Sequence, residues 1–370
     1  MRRRARGFSL IELMVGVVLA IVVLVIIRQS LAVFESQKRA TTGGADSAVN
    51  GSIAMFQIER DARMAAFGFT SPSGMLCPLG INIYFNPTTV SNGAVMAPIL
   101  VTDGASGAAD QIRFARSNST YGIAPSILVS AMAGPTSTVN TASALGIVSG
   151  DQFIVGAADG TKVCTVMQAT AAPTVAGTGW NILHASTSSY NPAAPATAFT
   201  TAPAYTVGDQ AVALGAFGLW NYRLMCNDNA APSDTNSCDL VQYDTISTTG
   251  TINWANTAIN HVASQVIDLQ AQYGVAAAGA DAVSQWVDAT GAWVAPLSTA
   301  NMLRIKALRV ALVARSSKYE TTMVSPASLV LWDAGQASEK ATALTDAQRH
   351  YRYKVFYLVI PAINMVWANV

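Results

Sequence analysis

The chain has 370 residues, of which 51% are hydrophobic and 12% charged, with a formal net charge of +1. The charged fraction is about half the globular average of roughly 25%, which suits an Ala-, Thr-, Ser-, Gly- and Val-rich β domain exposed outside the cytoplasm. Of its 22 Lys and Arg, four lie in Met1–Gly7 with no acid beside them; without them 18 bases face 21 acids, which argues against a nucleic-acid binder by bulk charge.

Phe8–Ile27 follows that basic leader as twenty almost uninterrupted apolar residues. At 1.5 Å per residue they span about 30 Å, the thickness of the bilayer core. A cleaved secretory signal has a shorter apolar region and a small-residue A-x-A site, and neither is present. A plain signal anchor is the second alternative. Arg2, Arg3, Arg4 and Arg6 precede the span; Arg28, Lys38 and Arg39 follow it. This modest positive-inside bias places the N-terminus in the cytoplasm and the cysteines on the oxidising side of the membrane. One charge, Glu12, sits inside the span at an insertion cost of a few kcal/mol, about 2.5–3.5 on insertion scales for comparable charges at a helix centre.

The helix is expected to continue. No proline occurs from Arg28 to Ala66, and apolar residues recur at helical spacing at Leu31, Phe34, Val49, Ile53 and Phe56, with Met55 and Ile58 beside them. Thr41-Thr42-Gly43-Gly44 interrupts the pattern, either as a loop between two helices or as a soft point within one. Val49, Ile53, Phe56 and Phe67 are the expected contacts with the head.

The stretch GFSLIELMV (Gly7–Val15) resembles the class III signal of type IV pilins and pseudopilins: a basic leader ending in Gly, then Phe, then Glu four residues on. The resemblance implies cleavage between Gly7 and Phe8 by prepilin peptidase, N-methylation of Phe8, and a part for Glu12 in subunit recruitment. Four further stretches resemble PilW-type minor pilins, in order. RDARMAAFGF (Arg60–Phe69) is similar to their RDLRMAGY, VIDLQAQYGV (Val266–Val275) to VENLQVQYGV, and IKALRVALVARS (Ile305–Ser316) to VRAVRVSLLVRS. YRYKVFYLVIPAIN (Tyr351–Asn364) is similar to YRRRVFTTTIALRN, with Pro361 and Ile363-Asn364-Met365 replacing the usual Arg-Asn ending. Asn86–Ser237 matches no family pattern.

The head reads as strands. DQIRFAR (Asp110–Arg116), DQFIVGA (Asp151–Ala157) and TKVCTVMQ (Thr161–Gln168) are short and bounded by turn residues. IDLQAQY alternates, with Ile267, Leu269, Ala271 and Tyr273 opposite Asp268, Gln270 and Gln272, as in a strand buried on one side. ALRVALVA (Ala307–Ala314) is apolar on both faces apart from Arg309, which places it in mid-sheet. Ala169–Gly179 and Ser186–Pro203 read as loops or excursions. The expected fold is α+β: a long N-terminal pilin helix, transmembrane in its first half, packed on an antiparallel β-rich globular head. The expected divisions are leader 1–7, transmembrane half 8–27, extramembrane half 28–66, and head 67–370 with a variable insertion at about 86–237.

The four cysteines, Cys77, Cys164, Cys226 and Cys238, form no CxxC pair. In an exported domain they favour two disulfides out of three possible pairings. The polar, turn-rich stretch between Cys226 and Cys238 favours that pair and leaves Cys77 with Cys164; four buried thiols are the competing reading. The loop Cys226–Asp239 gathers Asp228, Asp234, Asp239, Asn227 and Asn229, which could hold calcium, although a solvated turn explains them better. RHYRYKVFY (Arg349–Tyr357) interleaves bases and aromatics; on a strand His350, Arg352 and Lys354 share one face and Tyr351, Tyr353 and Val355 the other. That separation argues against nucleic acid.

His184, His261 and His350 are far apart, and H-E-x-x-H, G-x-S-x-G, Walker A and G-x-G-x-x-G are absent. No enzyme, cofactor or metal site is expected. The resemblance implies a structural minor pilin in a tip or priming complex with other minor pilins, the major pilin and often a large tip adhesin. The alternatives are a type II secretion pseudopilin of the J kind, or a pilus-borne head that binds DNA or a surface ligand.

Overall fold

The computed structural model describes residues 9–71, 74–75, 77–119, 124–226, 238–248 and 250–366. Leu10–Met64 form one helix, α1, of 55 residues, about 80 Å long. Of the two readings of Thr41–Gly44, the single helix holds. Gly43 is buried, and a Cβ there would lie 3.0 Å from the Ser316 Cβ. Glycine marks a close approach of helix to head rather than a break.

Nine strands frame the head: β1 (Ile81–Phe85), β2 (Gln111–Arg116), β3 (Cys164–Gln168), β4 (Gly218–Cys226), β5 (Cys238–Asp244), β6 (Asn260–Ser264), β7 (Val266–Ala276), β8 (Ile305–Arg315) and β9 (Tyr353–Pro361). One four-stranded antiparallel sheet runs Val283–Val287, β7, β8, β9. A five-stranded antiparallel sheet runs β6, β5, β4, β2, Ile99–Thr102. α1 packs against both, and Ala54, Ile58, Ala62, Phe114, Tyr222, Leu240, Leu269, Leu308 and Ile360 share one core. The third large sheet, of six strands, holds β1 and β3, which pair in parallel; the other pairings in it are antiparallel. Five of its strands lie within residues 86–237, the expected variable insertion, and β1 lies just before it.

β8 lies between β7 and β9 with every residue buried, as a strand apolar on both faces requires. β7 departs from expectation. Its polar face is buried too, with Asp268, Gln270 and Gln272 all under 9% exposed. The hairpin Ser328–Trp332/Lys340–Ala343 folds over that face: Thr342 donates to the Asp268 carboxylate, and Arg309 donates to Gln272 (2.7 Å) and Asp333 (3.0 Å) between the rings of Trp286 and Trp332. Alternation showed two faces; a distant hairpin, invisible to local periodicity, covers the second.

The basic-aromatic stretch also differs. Gln348–His350 form a 3-10 turn and β9 starts only at Tyr353, so His350, Arg352 and Lys354 do not line one strand face. The expected loop Ala169–Gly179 contains the strand Thr174–Ala176, paired with Gly179–Ile182. Ser186–Pro203 is irregular except for the helical turn Pro195–Ala198.

Candidate functional site: the two faces of the helix

The first turn of α1 satisfies Glu12 locally. The Ser9 backbone N–H donates to its carboxylate at 3.0 Å, an acid at a helix N-terminus where orphan N–H groups and the macrodipole favour it. Gly7 and Phe8, the expected cleavage and methylation residues, lie outside the described residues. From Leu10 the apolar residues are exposed, and Leu10–Glu35 contains an 18-residue window of mean hydropathy 3.2, long and apolar enough to cross a membrane.

Beyond the span, α1 has two apolar faces. The face toward the head consists mainly of small residues: Gly43, Ser47, Gly51, Ala54 and Ala62 are buried, with Met55 and Ile58 among them. A Cβ on Gly51 would fall 1.9 Å from the Phe356 ring of β9. Val49, Ile53 and Phe56 were expected on this side. They are instead 56%, 49% and 67% exposed. At 100° per residue they lie within about 40° of diametrically opposite Gly51. The periodicity was sound, but it has two solutions half a turn apart. Close helix–sheet approach selects the small residues and leaves the large ones outside.

The head-facing side carries a buried carboxylate that sequence reasoning missed. Asp61 is fully buried and accepts from the Tyr222 hydroxyl (2.7 Å) on β4 and Gln242 Nε2 (2.8 Å) on β5. Arg60 (3.1 Å) and Arg116 (3.4 Å) pair with it, and Arg116 also stacks on Trp220. Gln57, one turn earlier, donates to Gln242 (2.9 Å). Burial, reinforced by the adjacent Asp61 charge, holds the Tyr222 phenol far above its ordinary pKa, so it remains a donor. The signal was available: Asp61 interrupts the arc Ala54–Ile58–Ala62 inside a stretch already singled out. At the helix end, Asn364 Nδ2 donates to the carbonyls of Arg63 (3.1 Å) and Ala65 (2.9 Å), capping the terminal carbonyls of α1. The closing stretch thus ends on the residue that holds the other end of the fold.

Cys77 and Cys164 are joined, tying the segment before β1 to the start of β3. Cys226 and Cys238 are joined across opposite positions of β4 and β5. Asn227, Asn229, Asp228 and Asp234 lie outside the described residues, and Asp239 pairs with His261 Nδ1 at 2.9 Å. Among the described residues no group of three or more His, Cys, Asp or Glu could hold a metal. Arg349 pairs with Asp346, Arg352 with Glu320, and His350 stacks on Tyr319. The basic stretch is largely neutralised within the head.

Two family models match. The prokaryotic N-terminal methylation motif covers residues 2–27. The model for type IV pilus-assembly protein W, PilW, covers residues 205–364, which include β4 to β9 and Asn364 but not the six-stranded sheet's β1 and β3. No curated protein matches the chain. The methylation motif on the exposed apolar helix, and the PilW pattern over the sheets on which that helix rests, together support a PilW-type type IV pilin with a class III signal.

Proposed function

We propose that this pilin is a minor subunit that enters a tip or priming complex with other minor pilins through the outer face of α1. Prepilin peptidase cuts between Gly7 and Phe8, Phe8 is N-methylated, and the span holds the subunit in the inner membrane with the head outside the cytoplasm. The two disulfides suit that oxidising side. The observation carrying the proposal is the two-sidedness of α1. The small-residue face satisfies the head, and the large apolar face of Val49, Ile53 and Phe56 continues the exposed run that starts in the membrane. An apolar face of that kind calls for partner helices.

The test replaces Val49, Ile53 and Phe56 together by Ser and measures co-purification with the other pilins from membrane extracts. Recovery should fall at least tenfold while the head's unfolding midpoint stays within the range of surface substitutions, about ±0.5 kcal/mol. Undiminished recovery overturns the proposal. Recovery with a general secretion complex, and not with pilus subunits, favours the pseudopilin reading.

A further inference from the structure

Six arginines of the head, Arg116, Arg304, Arg309, Arg315, Arg349 and Arg352, are each held by a hydrogen bond or an ion pair. Arg113 on β2 and Arg223 on β4 are not. Among the described residues neither makes a side-chain hydrogen bond, an ion pair or a ring contact. The two are neighbours. Arg113 stands directly opposite Asn221 on β4, and Arg223 lies two residues farther along that strand. They therefore share one face of the five-stranded sheet, on a diagonal of about 7–8 Å. That face looks away from α1, because Ile112 and Phe114, on either side of Arg113, and Tyr222, beside Arg223, belong to the core under the helix.

Nothing on this face answers the two charges. The residues directly across are neutral: Leu100 and Asn221 flank Arg113, and Val241 faces Arg223. Asp239, two residues from Val241 on β5, is taken by His261 at 2.9 Å. The ionisable group whose field reaches Arg113 is the Tyr273 phenol, and burial, which raises its pKa to about 12, keeps it neutral. Both arginines are partly exposed, and in both the Nε atom is sealed and unbonded. Their outer nitrogens are not among the sealed atoms. Each fork is thus gripped at its base and open at its tip. Two like charges this close, partly withdrawn from water and without a counter-charge, are costly. A guanidinium stays protonated in such a setting, so the pair calls for an anion from outside.

We propose that Arg113 and Arg223 together bind a dianionic phosphate, either the free ion or a monoester. Two fixed forks, each able to give two parallel N–H bonds, suit a tetrahedral group with several acceptor oxygens and close to two charges. A single carboxylate or a phosphodiester carries only one charge and leaves the other guanidinium unanswered. Phosphates of the chain's own bilayer are out of reach. Tyr222, next to Arg223, is bonded to Asp61, which lies about 39 Å along α1 from Glu35, the end of the apolar span. The site is on the side of the sheet away from the helix, so it adds a ligand-binding role to the head and does not depend on the assembly reading.

The test is calorimetric titration of the full chain in a maltoside detergent, in phosphate-free buffer of low ionic strength. Inorganic phosphate and glycerol 3-phosphate are the ligands, with dimethyl phosphate and succinate as controls. At least one of the first two should bind saturably at one site per chain, the tighter naming the source, and both controls should bind at least tenfold more weakly. Arg113→Gln and Arg223→Gln should each weaken binding at least tenfold. Arg223→Lys, which keeps the charge and loses the fork, should weaken it several-fold. The tighter ligand should raise the unfolding midpoint of the wild type and not that of Arg223→Gln. No saturable binding of either phosphate, succinate binding as tightly, or an unchanged affinity in either Gln variant would overturn the proposal.

Discussion

Asp61 and Glu12 are both carboxylates on α1, and their settings make them opposites. Asp61 is sealed beneath the head, and four side chains answer its charge. A buried ion is tolerable only with such partners, and removing one side of the arrangement strands the rest. Asp61→Ala leaves Arg116 beside an uncharged gap and the Tyr222 hydroxyl without its acceptor. It should cost about 3–5 kcal/mol, read as a drop in the denaturant midpoint; a loss under about 1 kcal/mol would show that the network is incidental. Glu12 is answered by one backbone N–H and is otherwise exposed. Cleavage at Gly7 would create a new amine on Phe8, four residues away. In an apolar filament core that amine and Glu12 would each be costly alone and tolerable together, within one chain or between neighbours. Glu12→Gln keeps the shape and removes the charge. Membrane insertion and cleavage should be normal, with an N-methylated Phe8 by mass spectrometry, and co-purification with partner pilins should fall. Wild-type piliation by this variant would reduce Glu12 to a tolerated interfacial acid.

At the scale of elements, the long helix, the mid-sheet β8 and the short strands Gln111–Arg116, Gln152–Gly156 and Cys164–Gln168 were legible, because each is specified by its own residues. The facing of elements was less legible. Amphipathic periodicity locates an apolar stripe but does not say which of two stripes meets the head, and α1 has both. Gly43 and Gly51 held the answer. Read as propensity they weaken the helix by about 1 kcal/mol each; read as steric clearance they mark the side where a sheet comes close. Gly51→Ala therefore inverts the usual expectation that Ala stabilises a helix. The new Cβ would overlap the Phe356 ring, and that half-buried ring must move off the core. A destabilisation of about 1–3 kcal/mol is expected, against a gain at Gly44, where a Cβ meets nothing. Equal effects at the two glycines would show that β9 does not press on α1 at this point. β7 failed in the same way as α1: its two faces were readable, and the hairpin that buries Asp268, Gln270 and Gln272 comes from residues some sixty to seventy-five positions later.

For the molecule as a whole, the four family-like stretches, far apart in sequence, converge on one structure. Arg60–Phe69 ends α1 and supplies Asp61, the next two become β7 and β8, and the last becomes β9 and the Asn364 cap. Most of the six-stranded sheet grows outside this frame, stapled by Cys77–Cys164; of its six strands only Gln210–Gly215 falls within the PilW match. The joint between the five-stranded and the four-stranded sheet is also where pH should act. Asp110, at the entry to β2, accepts from the N–H of Gly104 (2.9 Å) and of Ala271 on β7 (2.7 Å). Burial outweighs those bonds and pushes its pKa up to about 7 from 3.8, with the Asp103 charge adding to the rise and Lys340 opposing it. A carboxyl whose folded pKa is raised destabilises the native state where it is ionised, so stability should rise as pH falls from about 8 toward 6.5. The slope from this group is at most about 1.4 kcal/mol per pH unit. Below 6.5 the buried His184, whose pKa is lowered, begins to oppose the gain because the unfolded chain takes up its proton. The diagnostic window is therefore pH 8 to 6.5. Chemical denaturation across it should show the wild type gaining stability on acidification and Asp110→Asn losing most of that slope, whatever its absolute stability. A variant with the wild-type slope would place the titration elsewhere and leave Asp110 as an ordinary bridge between the sheets.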